Sequence, residues 1–415
     1  MADDSNARTG TAVVSALLFG SGFCALVYQT TWFREFRLIF GASTAASAAV
    51  LAVFMGGLGI GGAILGHRAD RARNGLRLYA LLEIGIAISA AATPLLLLLA
   101  RQAYIATGGS GAFGLGGATV VRIILTALVL AIPTILMGGT LPAAARAVET
   151  GDDRGRRRLA VLYGANTVGA VAGALAGTFG MLELFGNRKT LLVAAALNVL
   201  VALIARAVAS RSSEDAAETG AATARVAVAG RRRGFVFAAA ALVGFAFFLM
   251  EMVWYRMLAP LLGGSTFTFG LILAAALAGI GIGGFLYSSF GESRVATLRA
   301  FAITCAAESL LIAIPFAIGD GIAVLAILLR GLGSMGFAGY VLGWSAIAAV
   351  VVVPASILAG FQFPLLIALL GEGRENVGRD AGTAYAWNTA GAIGGSLAGG
   401  FGILPLLTAP GTWMA

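Results

Sequence analysis

The stretch "YGANTVGAVAGALAGTFG", Tyr163 to Gly180, returns later in the chain as "YAWNTAGAIGGSLAGGFG", Tyr385 to Gly402, at an offset of 222 residues. The same offset relates "GFCALVYQTTWFREFRLIFGAST", which begins at Gly22, to "GFAFFLMEMVWYRMLAPLLGGST", which begins at Gly244, without a gap. Self-similarity at a fixed interval indicates a duplicated structural unit. The sequence therefore predicts two copies of one unit in tandem.

The composition places these copies in a membrane. Of the 415 residues, 59% are hydrophobic and 11% are charged, which is far more apolar surface than one soluble core could bury. Apolar runs such as 43–66 and 78–100 exceed the roughly 18 residues that cross a bilayer as a helix. The alternating pattern of a transmembrane β-barrel does not occur. The expected partner is the lipid bilayer, and the expected class is all-helical.

Within the first copy the apolar runs predict six helices, near 12–38, 43–66, 76–104, 118–149, 158–184 and 189–208. An even number of spans gives both copies the same orientation, as in the parallel repeats of facilitator-type transporters. The predicted fold is an all-α integral membrane protein with two parallel six-helix repeats, major facilitator-like.

The predicted domains are a first repeat at 1–207, a polar linker at 208–233 and a second repeat at 234–415. The second repeat is incomplete, because only three residues follow Thr412 whereas the first copy continues through a sixth helix. The twelfth helix is thus truncated, so the sequence is either a fragment of a longer chain, which we favour, or a chain whose end is degenerate.

The net charge of +9 comes from arginine clusters in one set of alternate loops, including 68–77, 154–158 and 231–233. The other set contains only Arg34, Arg37, Arg101, Arg188 and Lys189. Basic residues mark the cytoplasmic loops of membrane proteins. The pattern predicts a multi-pass protein of the plasma (inner) membrane with a cytoplasmic N-terminus. Because the arginines do not follow one helix face, nucleic acid is not an expected partner.

Glycines of the repeated stretch recur every four residues, at Gly169, Gly173 and Gly177 and again at Gly391, Gly395 and Gly399. Small residues on one helix face allow close helix packing in lipid. Asn166 and Asn388 lie one turn earlier on nearly the same face. Each amide is expected either to form an interhelical hydrogen bond or to contact a ligand.

The sequence offers no catalytic centre. The G-x-G-x-x-G spacing at Gly57 to Gly62 lies inside an apolar run, whereas a dinucleotide-binding fingerprint follows a strand. With His67 as the single histidine, a histidine-based triad or metal site is not expected. We predict no catalytic residue, cofactor or metal in this chain.

Polar residues inside the apolar runs are the candidate substrate-binding groups. Gln29 and Glu251 occupy the same repeat position, and Glu83 and Glu308 occupy a similar position on the third helix of each copy. An intramembrane carboxylate is costly, so it is usually paired or faces a wet cavity. Three alternatives stay open: structural pairing with Arg34 or Arg256, handling of a cation or proton, and placement on the surface. With Asn166 and Asn388 these residues form the predicted site.

The repeated blocks, together with "MGGTLPAAARA" from Met137, resemble the membrane domain of the fused major facilitator/spermidine synthase-like proteins. The loop "GHRADRARNG" from Gly66 is similar to the cytoplasmic G-x-x-x-D-R signature of major facilitator transporters. The resemblance implies a cytoplasmic aminopropyltransferase (spermidine synthase) domain downstream. The acidic amine-binding residues and nucleotide loop of such a domain are missing from these 415 residues, so enzyme activity is not assigned to them.

Two functional hypotheses follow. The first is a transporter-like membrane domain that binds or passes polyamines or another small cation. The alternative is a non-transporting membrane anchor or scaffold for a cytoplasmic aminopropyltransferase domain that lies outside this chain.

Overall fold

The computed structural model describes residues 2–40, 44–149, 156–215, 230–263, 266–290, 296–371 and 376–414. These residues are helical almost throughout and contain no strand, so the predicted all-α membrane fold is confirmed. The helices of the first copy are α1 (Ala2–Phe40), α2 (Thr44–Arg71), α3 (Gly75–Ala106), α4 (Gly109–Gly138), α5 (Thr140–Val148), α6 (Arg157–Ala176) and α7 (Leu182–Asp215). Those of the second are α8 (Gly230–Leu258), α9 (Thr266–Ser289), α10 (Leu298–Ala317), α11 (Gly319–Leu329), α12 (Phe337–Ala368), α13 (Val377–Ala398) and α14 (Leu404–Met414).

Nine helical segments in the described ranges are long and apolar enough to cross a membrane. The longest, 157–210, contains the predicted fifth and sixth helices, which are separated where Gly186 adopts a φ of 68°. α13 is the second copy of α6 and has 22 residues, which is about 33 Å at 1.5 Å per residue. That length is also sufficient to cross the hydrocarbon core.

The duplication seen in the sequence extends to irregular backbone. A π-helical turn at Gly177–Met181 recurs at Gly399–Ile403, again 222 residues on. Gly114 and Gly336 share a positive φ at the same offset, as do Gly186 and Thr408. Because insertions of this kind are rare, their repetition shows that both copies bend at equivalent points.

Helix contacts through glycine are also duplicated. Gly173 lies so close to α1 that a Cβ atom would overlap the carbonyl oxygen of Phe23, and Gly395 stands in the same relation to Phe245 of α8. The four-residue glycine spacing thus packs α6 on α1 and α13 on α8, as expected for small residues in a membrane. Gly61, in the run with G-x-G-x-x-G spacing, packs against the backbone of Ile135.

The two copies meet through two helix pairs, α2 with α13 and α6 with α9. Close backbone approach makes both contacts. A Cβ atom on Gly382 would overlap the carbonyl oxygen of Gly62, and one on Gly284 would lie 3.3 Å from the carbonyl oxygen of Ala160. The pairing is therefore pseudo-symmetric. Through the 222-residue offset, position 62 corresponds to 284 and position 160 corresponds to 382, so the two contacts are equivalent.

Buried apolar side chains form three clusters, which differ in the copies that contribute to them. One cluster draws on both copies and includes Leu65, Leu159, Phe363 and Leu366. The second belongs to the first copy and the third to the second copy. The shared cluster lies where α2 ends and α6 begins, which is the arginine-rich end of the molecule.

The helices extend into the predicted linker at 208–233 from both sides. α7 continues to Asp215 and α8 begins at Gly230, while 216–229 lie outside the described residues. The division into 1–207, 208–233 and 234–415 stays a prediction. The last helix, α14, corresponds through the offset to the beginning of α7.

Candidate functional site

A cavity of about 270 Å³ lies between the two copies. Both copies contribute to its wall, chiefly through α1, α2 and α6 on one side and α8, α9 and α13 on the other. Most lining side chains are apolar. The polar lining residues are Ser21, Gln29, Thr140, Tyr163, Asn166, Thr167, Glu251, Tyr385, Asn388, Thr389 and Ser396.

Glu251 is the only lining residue with a charged side chain in the described part of the chain. It is 6% exposed, and no described group forms a hydrogen bond or ion pair with it. Arg256, its expected partner, is exposed instead. Five residues at 100° each separate the two side chains by about 140° around the helix, so they point to different faces. The first alternative for Glu251, structural pairing, is not observed.

Gln29, which matches Glu251 in the repeat, lines the same cavity from α1. Its amide is half-buried and has no hydrogen-bond partner among the described residues. Arg34, the expected partner on this helix, is exposed. The cavity is thus faced by one carboxylate and one amide at equivalent positions.

Asn166 and Asn388 both line the cavity, but their contacts differ. Nδ2 of Asn388 donates a hydrogen bond to the carbonyl oxygen of Ala240 on α8, at 3.1 Å. That bond fixes α13 against α8, which is the interhelical alternative. Asn166 forms no such bond among the described residues. Its amide is available to a molecule in the cavity.

Glu83 and Glu308 do not line the cavity. Glu83 is fully buried, and its Oε2 accepts a hydrogen bond from Nδ2 of Asn198 on α7. Oε2 of Glu308 accepts one from Nε2 of Gln362 on α12, at 2.7 Å. These acids lie on α3 and α10, outside the inner ring of helices, and they tie those helices to their neighbours.

The site predicted from the sequence did not include the aromatic residues that line the cavity. Tyr163 and Tyr385, the first residues of the two quoted stretches, both face the cavity. Phe363 lies between them, with ring centroids 4.8 Å from Tyr163 and 6.1 Å from Tyr385. Their position at the head of the repeated motif was the available signal.

An ionic cluster that we name the latch closes the arginine-rich end. Asp380 Oδ2 lies 2.9 Å from Arg156 Nη2, and its Oδ1 lies 2.6 Å from Arg233 Nη2. Asp70 accepts hydrogen bonds from the backbone amides of Gly378 and Arg379, at 2.8 Å each, at the start of α13. Arg156 is completely buried. Arg156, which the sequence suggested only as a topology signal, therefore joins the two copies, while Arg233 holds Asp380 from within the second copy.

The described residues contain no group of three or more His, Cys, Asp and Glu side chains placed to hold a metal ion. Cys24 and Cys305 are both free thiols. The chemistry that this site offers is recognition of a molecule by one carboxylate, several neutral polar groups and an apolar wall.

No protein-family model matches the sequence, and no curated protein sequence matches it. The fold is similar to that of the human organic anion transporter MFSD10 (TETRAN), with a TM-score of 0.54 and 16% identity over 98% of this chain and 96% of that one.

Two further structures give a TM-score of 0.48. One is the major facilitator superfamily proton:xylose symporter XylE, with 14% identity over 97% of this chain and 89% of that one. The other is a bacterial homologue of the human lysosomal transporter Spinster, with 17% identity over 95% and 81%. With its two parallel repeats, its paired interfaces and the likeness to MFSD10, this chain has the fold of the major facilitator transporters.

Proposed function

We propose that this protein moves a small organic cation across the membrane, with Glu251 as the counter-charge in the cavity. The observation that carries the proposal is a buried carboxylate that has no partner among the described residues and faces a cavity between the halves of a facilitator fold. An uncompensated charge in this setting is costly. A proton or a cation from the cavity would remove that cost.

The sign of the charge selects the substrate class. A carboxylate attracts an ammonium group and repels an acid, and the described lining residues include no arginine or lysine to reverse this preference. MFSD10 is named as an organic anion transporter. The cavity here supports the opposite sign, so that substrate class is not carried over.

Packing at the two ends supports an outward-facing state. The buried cluster shared by both copies and the latch both lie at the arginine-rich end, whereas the other two clusters each belong to one copy. Basic loops favour the cytoplasm, which would place this end and the N-terminus inside the plasma membrane. Alternating access would then require the latch to open.

Polyamines are the cations suggested by the resemblance to spermidine synthase-like proteins. An ammonium group would bind Glu251, and further ones would reach only neutral groups such as Gln29, Asn166 and Asn388. A polyamine is therefore one member of the cation class to be tested.

The alternative is a static membrane anchor for a cytoplasmic synthase domain. Its support is the latch, because a completely buried Arg156 held by Asp380 favours one arrangement of the two halves. An anchor does not need to bind small cations in its cavity. A measurement of cation binding therefore distinguishes the two hypotheses.

The test is cation binding to the purified full chain in lipid nanodiscs, with putrescine, spermidine and benzyltrimethylammonium as probes. We expect at least one probe to bind, and Glu251→Gln to weaken it by about 1–3 kcal/mol, or roughly 5- to 150-fold. The double variant Glu251→Gln with Gln29→Glu moves the carboxylate to the matching position and should restore part of the affinity. Absence of binding by all three probes at millimolar concentration would favour the anchor.

Uptake by liposomes separates transport from binding alone. The probe that binds best should enter protein-containing liposomes faster than empty ones, and the Glu251→Gln variant should lose this gain. Binding without any uptake would contradict the transport proposal while leaving the cation site intact.

A further inference from the structure

We infer that the cavity binds a cation with a single positive charge on an apolar, ring-sized body, rather than a polyamine. The inference rests on the proposed function, because it names the substrate class of the same site. It is carried by the number of charges in the wall and by the side chains that line the cavity with Glu251.

The charge count limits the ligand to one ammonium group. Glu251 is the only charged side chain among the described residues of the wall. The second ammonium group of a diamine would lie in a largely apolar cavity with neutral partners only. Desolvating a charge without a counter-charge is strongly unfavourable. Each additional positive charge therefore lowers affinity instead of raising it.

The other intramembrane acids do not supply a second counter-charge. Glu83 is buried outside the cavity and engaged by Asn198. Glu308 is engaged by Gln362 between α10 and α12. Neither carboxylate contributes to the cavity wall. Each would have to leave a hydrogen-bonded partner to meet a polyamine.

Aromatic and thioether side chains line the same cavity as the carboxylate. Phe247 and Phe248 precede Glu251 by four and three residues, so they share its face of α8, and both line the cavity. Trp254 holds the Phe247 ring in a T-shaped contact at 6.0 Å. Met252 lines the cavity next to Glu251 in the sequence, and Met55 lines it from α2 of the other copy. Aromatic faces attract cations, and methionine adapts to irregular apolar shapes.

The volume limits the size of the body. About 270 Å³ is slightly below the range of roughly 300–1,000 Å³ found for sites of drug-sized ligands. A single substituted ring fits that volume. Benzyltrimethylammonium combines one permanent charge with one aromatic ring and therefore serves as the probe.

The experiment compares binding of benzyltrimethylammonium, putrescine, spermidine and the anion benzoate to the full chain in nanodiscs. We expect benzyltrimethylammonium to bind at least tenfold tighter than either polyamine, and benzoate not to bind. Phe248→Leu should weaken benzyltrimethylammonium about 2- to 30-fold, the range of a cation–aromatic contact. Phe19→Leu changes an exposed phenylalanine of α1 outside the wall and should have no effect.

The outcomes distinguish this inference from the proposed function. If putrescine or spermidine binds tighter than benzyltrimethylammonium and depends on Glu251, the single-charge inference is wrong and the cation site stands. Unchanged affinity in Phe248→Leu would overturn the assigned wall. If no cation binds, or if benzoate binds instead, both the inference and the proposed function fail.

Discussion

The two copies keep the same backbone contacts but carry different charges. Gly173 meets the carbonyl of Phe23, and Gly395 meets that of Phe245, 222 residues on in both cases. Gln29 and Glu251 are also equivalent through the offset, but they differ in charge. At this position only the second copy carries a carboxylate. Duplicated contacts assemble the bundle, while the carboxylate in the cavity is present in one copy only.

The latch shows the same asymmetry. Through the 222-residue offset, Asp380 corresponds to Arg158 and Arg233 corresponds to Thr11. No mirror image of the latch is therefore possible with these residues. The ionic contacts close one end of the molecule, and the pseudo-symmetry of the glycines does not extend to them.

The largest effect on stability is expected from the latch, which is present at one end of the molecule only. Asp380→Ala removes the carboxylate that lies between the completely buried Arg156 and Arg233. We expect the free energy of unfolding to fall by about 3–5 kcal/mol. Thermal unfolding of the purified protein in detergent measures this loss. Asp320→Ala, an exposed acid at the start of α11, is the matched control and should change little. Equal stability of the two variants would mean that the latch does not hold the halves together.

A smaller and symmetric effect is expected from the glycines. Gly173→Leu and Gly395→Leu each force a side chain into a neighbouring backbone, and overpacking costs about 1–3 kcal/mol. Similar losses of thermal stability are predicted for both variants. Gly116→Leu, on α4 with open space around it, provides the control. A clear loss in one copy and none in the other would break the equivalence of the two interfaces.

The smallest effect is expected from the asparagines. Asn388→Ala removes an interhelical hydrogen bond to Ala240, whereas Asn166 has no corresponding bond among the described residues. We expect Asn388→Ala to destabilise the protein by about 0.5–1.5 kcal/mol and Asn166→Ala by less. Chemical unfolding of both variants in mixed micelles compares them. A greater loss for Asn166→Ala would show that the amides have opposite roles to those described.

The sequence was sufficient for the features that depend on local spacing. The helices of the first copy and the four-residue glycine ladder follow from patterns within one segment, and the 222-residue offset follows from the likeness of two segments; the confirmed fold contains all three. The position of Glu251 in the cavity is consistent with its repeat position on an inner helix. The spacing of residues shows which of them share one face of a helix. That is sufficient to predict a helix contact when the same pair of helices packs together in both copies.

The sequence was insufficient where the role of a residue depends on a partner that is distant in the sequence. Glu83 and Glu308 looked alike, but Asn198 and Gln362 engage them outside the cavity. Arg156 and Asp380 are 224 residues apart, and no spacing rule connects them. Arginines at helix ends have two roles, topology and ion pairing, and charge counting detects only the first.

The separation between Arg156 and Asp380 has a consequence for biosynthesis. At about 5–20 residues per second, a ribosome needs roughly 10 to 45 s to make the 224 residues between them. During that interval the first half is already in the membrane, while the guanidinium and the apolar residues of the shared cluster lack their final neighbours. The first half must therefore wait in an incompletely packed form, shielded by lipid, water or an insertion factor, until α13 emerges and completes it.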